Sequence, residues 1–421
     1  MLVARKRARK GRAMDKMESR GTFTEYLPSY TVGVDAYQAV PHITRRFGSH
    51  AVVIGGKTAM EKGKQRLLDA LLGSDVVVDS WVVYGTNSTH ANARAIAERE
   101  DVRAADMLFL MGGGRAIDEG KEIATILDKP YFTFPTLASN CAPITRIAVF
   151  YKEDGSSDTY FIPAELPVHT FIDTQIIVES PDEYFWAGIG DAFSKGPEVE
   201  LSSRDVDLVH SPLMGRALAG GACVDPLFDY AEQALADKRA GIPSDAFERI
   251  VLNIIVTAGV VSNMTTNLAA ECGAYYFNSS TAHAFYNGFT ILGERAEKHL
   301  HGEVVSFGTC VLYAFDNNIE GLKAQVALNE KLGLPTTLES LDITELSQDA
   351  DLDAILAVAQ KTNEWGRAPY GYTPERFRQA ILDVDAYGRA HKAGNTAAEA
   401  AALEAVAAHA VTTETTVPRK L

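Results

Sequence analysis

The feature that most constrains the fold is an apolar run that leads into three glycines and then into a helical pattern. Residues 107–111 read Met-Leu-Phe-Leu-Met, residues 112–114 are all glycine, and residues 115–124 have the composition of a helix. A strand, a glycine turn and a helix in this order are typical of sheets whose parallel strands alternate with helices. Glycines let a ligand approach the backbone closely, and the first amide groups of a helix favour a phosphate. The segment therefore predicts a phosphate site, although a plain tight turn would also explain it.

Similar patterns occur on both sides of this turn. Strands are predicted at residues 50–57, 76–84, 129–135 and 171–178, and helices at residues 57–72 and 89–98. Short apolar strands that alternate with helices favour a doubly wound parallel sheet. Such a sheet binds its ligands at the carboxyl ends of its strands. We therefore expect an α/β fold for this half of the chain.

The pattern changes near residue 180. Ser180 is expected to cap a helix that has Pro181 at its first position and acidic residues in its first turn. Most of the chain beyond this point is helical by pattern, including residues 253–264 and 267–275, which favours an all-α bundle. Pro197 is expected to interrupt the first of these helices.

The length of the chain predicts more than one domain, because 421 residues exceed what one hydrophobic core usually supports. We expect a basic extension over residues 1–22 and an α/β domain over residues 23–179. An α-helical domain over residues 180–394 and an alanine-rich helical tail over residues 395–421 complete the prediction. The tail has little apolar surface to bury, so it is expected to fray or to contact another subunit.

Charge and composition exclude several classes of function. The net charge of −15 argues against a nucleic-acid partner for the body of the protein. No run of about 18 apolar residues occurs, so no membrane span is expected. The four cysteines lack C-x-x-C pairing, which argues against a disulfide framework or a structural zinc site and suits a reducing cytoplasm.

The first 20 residues differ from the rest, because they hold eight Lys or Arg against two acidic residues. Their net charge is +6, so the remainder of the chain carries about −21. No apolar segment follows at signal-peptide distance, which argues against secretion. The segment is predicted to be a disordered extension, and contact with an anionic surface is the alternative.

Two histidines, His283 and His301, are candidate metal ligands. They lie 18 residues apart, each in a segment rich in small residues and helix formers. A divalent ion can bind two neutral imidazoles from neighbouring helices, but it also needs an anionic ligand and an open position for substrate. Asp191, far upstream in Gly-Ile-Gly-Asp, is the candidate for that ligand. The spacing alone is weak evidence, since most histidines are structural or lie on the surface.

The sequence around these residues resembles that of a known family. Gly-Ile-Gly-Asp191, Ala-His283-Ala-Phe-Tyr-Asn-Gly and His301-Gly-Glu-Val-Val-Ser-Phe-Gly are similar, in this order, to signatures of the iron-containing alcohol dehydrogenase family, glycerol dehydrogenase branch. The resemblance covers roughly residues 25 to 390. It implies an α/β dinucleotide-binding domain followed by an all-α domain, the fold shared with dehydroquinate synthase. It also implies that Asp191, His283 and His301 hold one catalytic divalent metal, and it leaves His299 as a surface residue.

The same resemblance implies a set of contacts with the nicotinamide cofactor. The glycine turn matches the family's pyrophosphate clasp, with Arg115 where Lys or Ser is more usual. Residues 135–143 resemble the family's Pro-Thr-x-x-Ser-x-Asp-Ala-Pro loop, which approaches the nicotinamide. The cofactor-binding residues implied in this way are Gly113, Gly114, Arg115, Asp118, Thr136, Ser139, Thr145, Ile147 and Tyr151.

Two positions leave the substrate and the cofactor open. Cys141 stands where glycerol dehydrogenases have an Asp that holds a polyol hydroxyl, and hydroxycarboxylate dehydrogenases also carry Cys there. A thiol neither binds a diol strongly nor repels an acid, so the substrate is a polyol or a 2-hydroxy or 2-oxo acid, unless Cys141 only packs. The first strand ends in Gly55, Gly56 and Lys57 instead of an acidic residue. Gly56 and Lys57 are therefore candidate cofactor-binding residues: nothing there repels a 2′-phosphate and Lys57 could attract one, so NAD and NADP both remain candidates.

We therefore predict a metal-dependent, NAD(P)-linked alcohol dehydrogenase that transfers hydride between a secondary alcohol and nicotinamide. The metal is Zn²⁺ or Fe²⁺, since nitrogen and oxygen ligands alone do not decide. A cytoplasmic homo-oligomer without nucleic-acid or membrane partners is expected. The alternatives are a 2-oxo acid reductase, a dehydroquinate synthase-like lyase and a non-enzymatic binding protein. A lyase of that type binds a phosphorylated substrate and would need more basic residues near the ligands than Lys195 and Lys298 supply.

Overall fold

The computed structural model describes residues 15–16, 24–152, 157–161, 163, 165–267 and 274–409. Most of the predicted basic extension, the last 12 residues of the predicted tail, and Cys272 lie outside these ranges. The predicted domain boundaries remain predictions.

The centre of the first half is a six-stranded sheet in the order β2-β9-β6-β5-β3-β4. Every pair of neighbouring strands in it is parallel. This confirms the predicted parallel sheet. The strands of the protein, in chain order, are β1 Asp15–Lys16, β2 Tyr30–Gly33, β3 His50–Gly55, β4 Val77–Val83, β5 Met107–Gly112, β6 Tyr131–Pro135, β7 Ala148–Tyr151, β8 Ser157–Phe161, β9 His169–Asp173, β10 Val206–Asp207, β11 Thr266–Asn267 and β12 Tyr275–Tyr276.

The apolar strands form two cores, one on each face of the sheet. Ala51 and Val53 of β3 pack with Phe109 on one face. Val52 and Ile54 pack on the opposite face, with alternate residues of β5. Successive side chains of a strand point to opposite faces, so a strand covered on both sides is apolar throughout. This is why these segments have no alternation of polar and apolar residues.

Helices cover both faces of the sheet and form nearly all of the second half. They are α1 Val40–Thr44, α2 Lys57–Leu71, α3 His90–Ala97, α4 Glu100–Ala104, α5 Gly114–Leu127, α6 Thr174–Val178, α7 Asp182–Ser203, α8 Ser211–Gly221, α9 Asp225–Arg239, α10 Asp245–Leu252, α11 Ala258–Thr265, α12 Thr281–Phe289, α13 His301–Phe315, α14 Ile319–Leu332, α15 Gln348–Ala359, α16 Pro374–Lys392 and α17 Thr396–Ala408. Short 3₁₀ segments lie at Ala36–Ala39, Arg45–Phe47, Ala142–Ile144, Thr290–Lys298 and Glu339–Leu341, and a π-helical turn, Asn253–Thr257, joins α10 to α11.

The prediction was wrong at the end of the sheet. The predicted strand over residues 171–178 stops at Asp173, and its second half is the helix α6. Asp173 causes the change, because its carboxylate accepts hydrogen bonds from the backbone amides of Gln175 and Ile176 and so caps the helix. The apolar run did not reveal this, since a buried strand and a buried helix have the same composition.

Two details of α7 also differ from the prediction. Pro181, not Ser180, is the residue that precedes the helix, and the Ser180 hydroxyl bonds the carbonyl of Ile177. The acidic first turn, Asp182 and Glu183, is as predicted. The helix continues through Pro197 to Ser203 without interruption. A long helix tolerates one missing hydrogen bond where packing holds it on both sides, and Pro197 is buried.

The helix expected over residues 267–275 is absent at both of its ends within the described residues. Asn267 and Tyr275 belong to the antiparallel pair β11 and β12 instead. The intervening residues 268–273 lie outside the described ranges.

The alanine-rich segment forms α17, which begins after Asn395, whose side chain accepts from the amide of Ala398. Ala402 and Val406 are buried in the same hydrophobic cluster as α13 and α16. The helix thus buries more apolar surface than its composition suggested.

One stretch, Asp245–Thr265, is long and apolar enough to cross a membrane by length and composition alone. It comprises α10, the π-helical turn and α11, and 67% of its apolar window is buried inside the protein. A core helix passes the same test, so the stretch is weak evidence for a membrane span.

Candidate functional site

Three helices cross at glycines, and these crossings bring the predicted metal ligands together. A Cβ atom at Gly302, in α13, would overlap the backbone carbonyl of Ala187 in α7. A Cβ atom at Gly190 would likewise overlap the carbonyl of Gly302. On the other side of α13, a Cβ atom at Gly308 would lie 2.5 Å from the carbonyl oxygen of Ala282 in α12. Only glycine permits such close backbone approach, so the three helices are fixed relative to one another.

Asp191, His283 and His301 meet at this crossing. Their nearest ligand atoms all lie within 4.8 Å of one another. The Nε2 atom of His301 is 3.2 Å from Oδ1 of Asp191, and Nε2 of His283 is 3.6 Å from the same oxygen. The three residues come from α7, α12 and the first position of α13. Their role as ligands remains a prediction, but the sequence-distant residues do form one cluster.

A buried carboxylate orients the first of the two histidines. Glu198, in α7, is fully buried, and its Oε2 atom lies 2.7 Å from Nδ1 of His283. Its Oε1 atom accepts hydrogen bonds from the backbone amides of Ser280 and His283. Because Nδ1 is engaged in this way, Nε2 of His283 faces Asp191. A carboxylate behind a ligating imidazole fixes the ring and raises its basicity.

Sequence reasoning missed Glu198, although a signal was present. Glu198 follows Asp191 by seven residues, which is two helical turns, so both side chains lie on the same face of α7. The expectation that Pro197 interrupts the helix hid this relation, because an interrupted helix does not keep one face.

The charges of the cluster reinforce one another. Burial opposes ionisation of Asp191, but the adjacent His301, and then His283, hold the pKa of this carboxyl at about 2. Burial also raises the pKa of Glu198, and the hydrogen bond and charge of His283 more than offset it, so that this pKa is lowered. Both carboxylates are therefore ionised near neutral pH.

These residues fit a divalent metal by the chemistry of their donor atoms. One ionised carboxylate and two imidazole nitrogens form the donor set of a catalytic site that keeps an open position. Glu198 supplies the outer carboxylate that such sites commonly use to hold a histidine. Tyr286 packs edge-on against His301 with 4.1 Å between ring centroids and limits the free space on one side.

His299 does not join the cluster, but it is not a surface residue as expected. Its side chain is 9% exposed, its Nδ1 atom lies 2.9 Å from the Glu303 carboxylate, and its ring contacts Phe289. Glu303 also accepts from the backbone amide of Leu300 at the start of α13. His299 thus contributes to fixing the start of the helix that carries His301.

The glycine turn lies between β5 and α5, as the sequence predicts. Gly113 precedes α5 without a side-chain cap, and Gly114 is the first residue of the helix. A Cβ atom at Gly114 would lie 2.8 Å from the side-chain amide of Asn140. Among the residues that the structure describes, no side chain caps the start of α5, so its first amide groups suit binding of a phosphate.

Two further residues predicted to contact the cofactor lie near this turn, and one of them is exposed whereas the other is buried. The Arg115 side chain is exposed and lies over the Tyr151 ring, 5.2 Å from its centroid. Asp118 is buried behind the turn, with Lys121 Nζ 2.9 Å from Oδ1 and the Val149 amide 3.1 Å from Oδ2. The Lys121 ammonium also donates to the carbonyl of Ile147. Asp118 and Ile147 thus hold the turn and β7 together through Lys121.

The loop after β6 carries the remaining candidates. Thr136 and Thr145 are buried, and Ser139 is half-buried. The loop is held from the helical half by Asn263, whose side chain donates to the Ile144 carbonyl and accepts from the Arg146 amide. Its residue Cys141 is half-buried, and a Cβ atom at Gly259 would lie 3.4 Å from that of Cys141. Burial raises the pKa of the Cys141 thiol.

The loop also touches the helix of Asp191 directly. A Cβ atom at Gly188 would overlap the carbonyl oxygen of Ala138 and would lie 3.0 Å from the Cα atom of Ser139. Gly188 precedes Asp191 by three residues, which is less than one helical turn. The predicted nicotinamide loop is therefore adjacent to the cluster of predicted metal ligands, Asp191, His283 and His301.

The end of β3 provides the other predicted cofactor contact. Gly56 precedes α2, and its amide donates to the carbonyl of Met111 beside the glycine turn. Lys57 is the first residue of α2, and its side chain is exposed. These positions lie at the carboxyl edge of the parallel sheet, where such sheets bind their ligands.

Comparison with known proteins agrees with the fold and with the sequence signatures. Residues 28–174 match the family model described as iron-containing alcohol dehydrogenase. The chain is 29% identical over 369 residues to a glycerol dehydrogenase of Citrobacter freundii, covering 86% of this chain and 96% of the relative. It is 28% identical over 345 residues to hydroxycarboxylate dehydrogenase A of Escherichia coli strain K12, covering 80% and 90%. The crystal structure of glycerol dehydrogenase from Schizosaccharomyces pombe superposes with a TM-score of 0.79 at 25% identity, covering 91% of this chain and 95% of that one.

Proposed function

Because this chain belongs to the iron-containing alcohol dehydrogenase family, among relatives named glycerol dehydrogenase, we propose that it is a metal-dependent, NAD(P)-linked dehydrogenase of secondary alcohols. It acts as an oxidoreductase on CH–OH groups, with the alcohol oxidised or the carbonyl reduced according to the supply of cofactor. The Asp191, His283 and His301 cluster beside the glycine-turn loop carries the proposal.

Different residues of the chain have different roles in the proposed reaction. The first amide groups of α5 bind the pyrophosphate, and the loop from Thr136 to Thr145 positions the nicotinamide. Glu198 holds His283 in one tautomer, and Asp191 remains ionised at all physiological pH values. When bound, a divalent ion supplies Lewis acidity to the substrate oxygen, and the nicotinamide accepts or donates the hydride. Tyr286 packs edge-on against His301 and helps to hold its ring in place.

We also propose which metal and cofactor the protein uses, where it acts and in which oligomeric state. The metal is Zn²⁺ or Fe²⁺, because the donor set accepts both. NADP is as good a candidate as NAD, because Gly56 and the exposed Lys57 leave room and positive charge for a 2′-phosphate. The protein is proposed to act in the cytoplasm as a homo-oligomer, without nucleic-acid or membrane partners.

The substrate is a polyol or a 2-hydroxy or 2-oxo acid. The relatives include glycerol dehydrogenases and hydroxycarboxylate dehydrogenase A, so similarity alone does not separate the two. The relatives are named dehydrogenases or reductases, which argues against the lyase alternative.

The test is nicotinamide absorbance with purified protein that has been stripped with a chelator and reloaded with Zn²⁺ or Fe²⁺. NAD(H) and NADP(H) are each combined with glycerol and with 2-oxo acids. We expect turnover that a chelator abolishes and metal restores. Protein that binds neither metal, or that retains full turnover without metal, would refute the proposal.

A further inference from the structure

A buried lysine beside the metal cluster has no role in the chemistry described so far. Lys195 lies four residues after Asp191, so both project from the same face of α7. It is 6% exposed, and its Nζ atom lies 2.6 Å from Oδ1 and 3.3 Å from the backbone oxygen of Asn278. An ammonium group has three donors, so these contacts leave one for another partner.

A buried lysine usually pairs with a carboxylate, and Lys195 lacks one in the part of the chain that the structure describes. Among the residues that the structure describes, no carboxylate lies within 4.0 Å of Lys195 Nζ. The two nearby carboxylates are engaged elsewhere: Asp191 faces the histidines, and Glu198 binds His283. A buried charge without a counter-ion is costly, and such a group is retained where it binds something.

The charge of the whole cluster points to the nature of that partner. With neutral histidines, the charges of Lys195, Asp191, Glu198 and a bound divalent ion leave an excess of about +1. A substrate that carries one negative charge next to the reacting carbon balances this excess, whereas a neutral polyol does not. A site with an excess of positive charge therefore prefers the anionic substrate class.

Lys195 also acts electrostatically on Cys141, the residue that the resemblance places beside the substrate. Burial raises the pKa of the Cys141 thiol, and the Lys195 charge is the largest influence that lowers it. Cys141 thus carries little negative charge. An Asp at this position would neutralise Lys195, so a thiol leaves the ammonium free to attract an anion.

We propose that Lys195 recognises the carboxylate of the substrate and makes this enzyme a 2-oxo acid or 2-hydroxy acid dehydrogenase rather than a polyol dehydrogenase. This inference rests on the proposed function and narrows it to one substrate class. The reduction adds hydride from reduced nicotinamide to the ketone carbon and a proton from solvent to its oxygen, giving the 2-hydroxy acid and oxidised cofactor. Lys195 is a specificity-determining residue that binds the group adjacent to the reacting carbonyl.

The test compares two substrates that share a carbon skeleton but differ in charge, pyruvate and hydroxyacetone. In Lys195→Met, we expect kcat/KM for pyruvate to fall about 100-fold while that for hydroxyacetone changes by less than about 3-fold. Lys195→Gln keeps a donor for Asn278 without the charge and is expected to lose the same preference. Lys298→Met removes an equal charge from an exposed position three residues before His301 and is the matched control, with no expected change.

A second readout does not depend on turnover. Oxamate, an unreactive acid of similar shape, is titrated calorimetrically into metal-loaded wild type and each variant, with metal content measured in parallel. We expect binding to wild type and to Lys298→Met, and about 100-fold weaker binding to both Lys195 variants at equal metal content.

The outcomes separate this inference from the proposed function. An equal loss of kcat/KM for both substrates would overturn the inference, and so would an oxamate affinity that is unchanged in the Lys195 variants. In either case, turnover would still support a dehydrogenase. Wild type that reduces hydroxyacetone in preference to pyruvate would also overturn the inference. No turnover of any substrate, together with oxamate binding that requires Lys195, would support the anion site and refute the proposed reaction.

Discussion

The two halves of the candidate site are built in different ways. The proposed nucleotide half consists of turns that are local in sequence, such as the glycine turn at the start of α5, and its candidate binding groups are mainly backbone amides. The proposed metal half joins Asp191, His283 and His301 across more than one hundred residues, and its geometry depends on helix crossings at Gly190 and Gly302. A local site tolerates changes of side chain, whereas a site made by packing depends on atoms that never touch a ligand. The metal half should therefore be the more sensitive to substitution.

The largest effect is expected from removing a predicted ligand. Asp191→Ala or His283→Ala should abolish metal binding and turnover and leave the secondary structure intact, because each removes one of three donors. Metal content by elemental analysis, activity and circular dichroism check this. Asp182→Ala, an exposed aspartate in the first turn of the same helix, is the control and should keep both metal and activity. Metal-free turnover in the ligand variants would contradict the assignment.

The next effect is expected from the carboxylate behind His283. Glu198→Gln keeps the size of the side chain but weakens its hold on Nδ1, and metal affinity should fall about 10- to 100-fold. Competition with a chelator of known affinity measures this. Glu200→Gln is the matched control on the same helix, since Glu200 pairs with Arg204 away from the cluster. Equal affinities in the two variants would show that Glu198 is only a buried structural acid.

The third effect is expected at the crossing of α13 and α7, where a larger residue should disturb the proposed metal half. Gly302→Ala puts a methyl group into the Ala187 carbonyl, so the free energy of unfolding should fall by about 1–3 kcal/mol, and metal affinity should fall with it. Gly220→Ala, in α8, meets no atom within 4 Å and should raise the free energy of unfolding by up to about 1 kcal/mol. Denaturant titration of both variants gives the comparison. If Gly302→Ala were as stable as wild type, the crossing would not be as tight as described.

The smallest effect is expected where the two halves meet. Cys141→Asp introduces a carboxylate near Lys195 and should shift the ratio of kcat/KM from pyruvate toward glycerol by about 10-fold. Cys141→Ser, which changes the polarity but not the charge, should leave the ratio near that of wild type. An unchanged ratio in Cys141→Asp would mean that this residue only packs against α11.

The sequence supported prediction of the sheet, the glycine turn and the meeting of Asp191, His283 and His301 in one cluster. The sheet could be predicted because strands buried on both faces leave continuous apolar runs, and the turn because its glycines are consecutive. The metal cluster required the resemblance to known proteins, since a spacing of 18 residues between histidines does not itself indicate contact.

Other features depended on side-chain contacts that no local pattern shows. Asp173 ends β9 by capping α6, and the apolar residues around it would suit either structure. Pro197 stays within α7 because both sides of the helix are packed, so the seven-residue spacing that puts Asp191 and Glu198 on one face holds although the proline argued against it. A proline rule describes an isolated helix, and packing energy outweighs it here.

The contact at Gly188 has a consequence for how the site opens. The nicotinamide loop touches α7 there, three residues before Asp191, which corresponds to about 4.5 Å along the helix axis. Because separation at this point would break a close backbone contact, we expect the loop and the helix of Asp191 to move together. Such joint movement would keep the proposed nicotinamide position at a nearly constant distance from Asp191 while other parts of the site open or close.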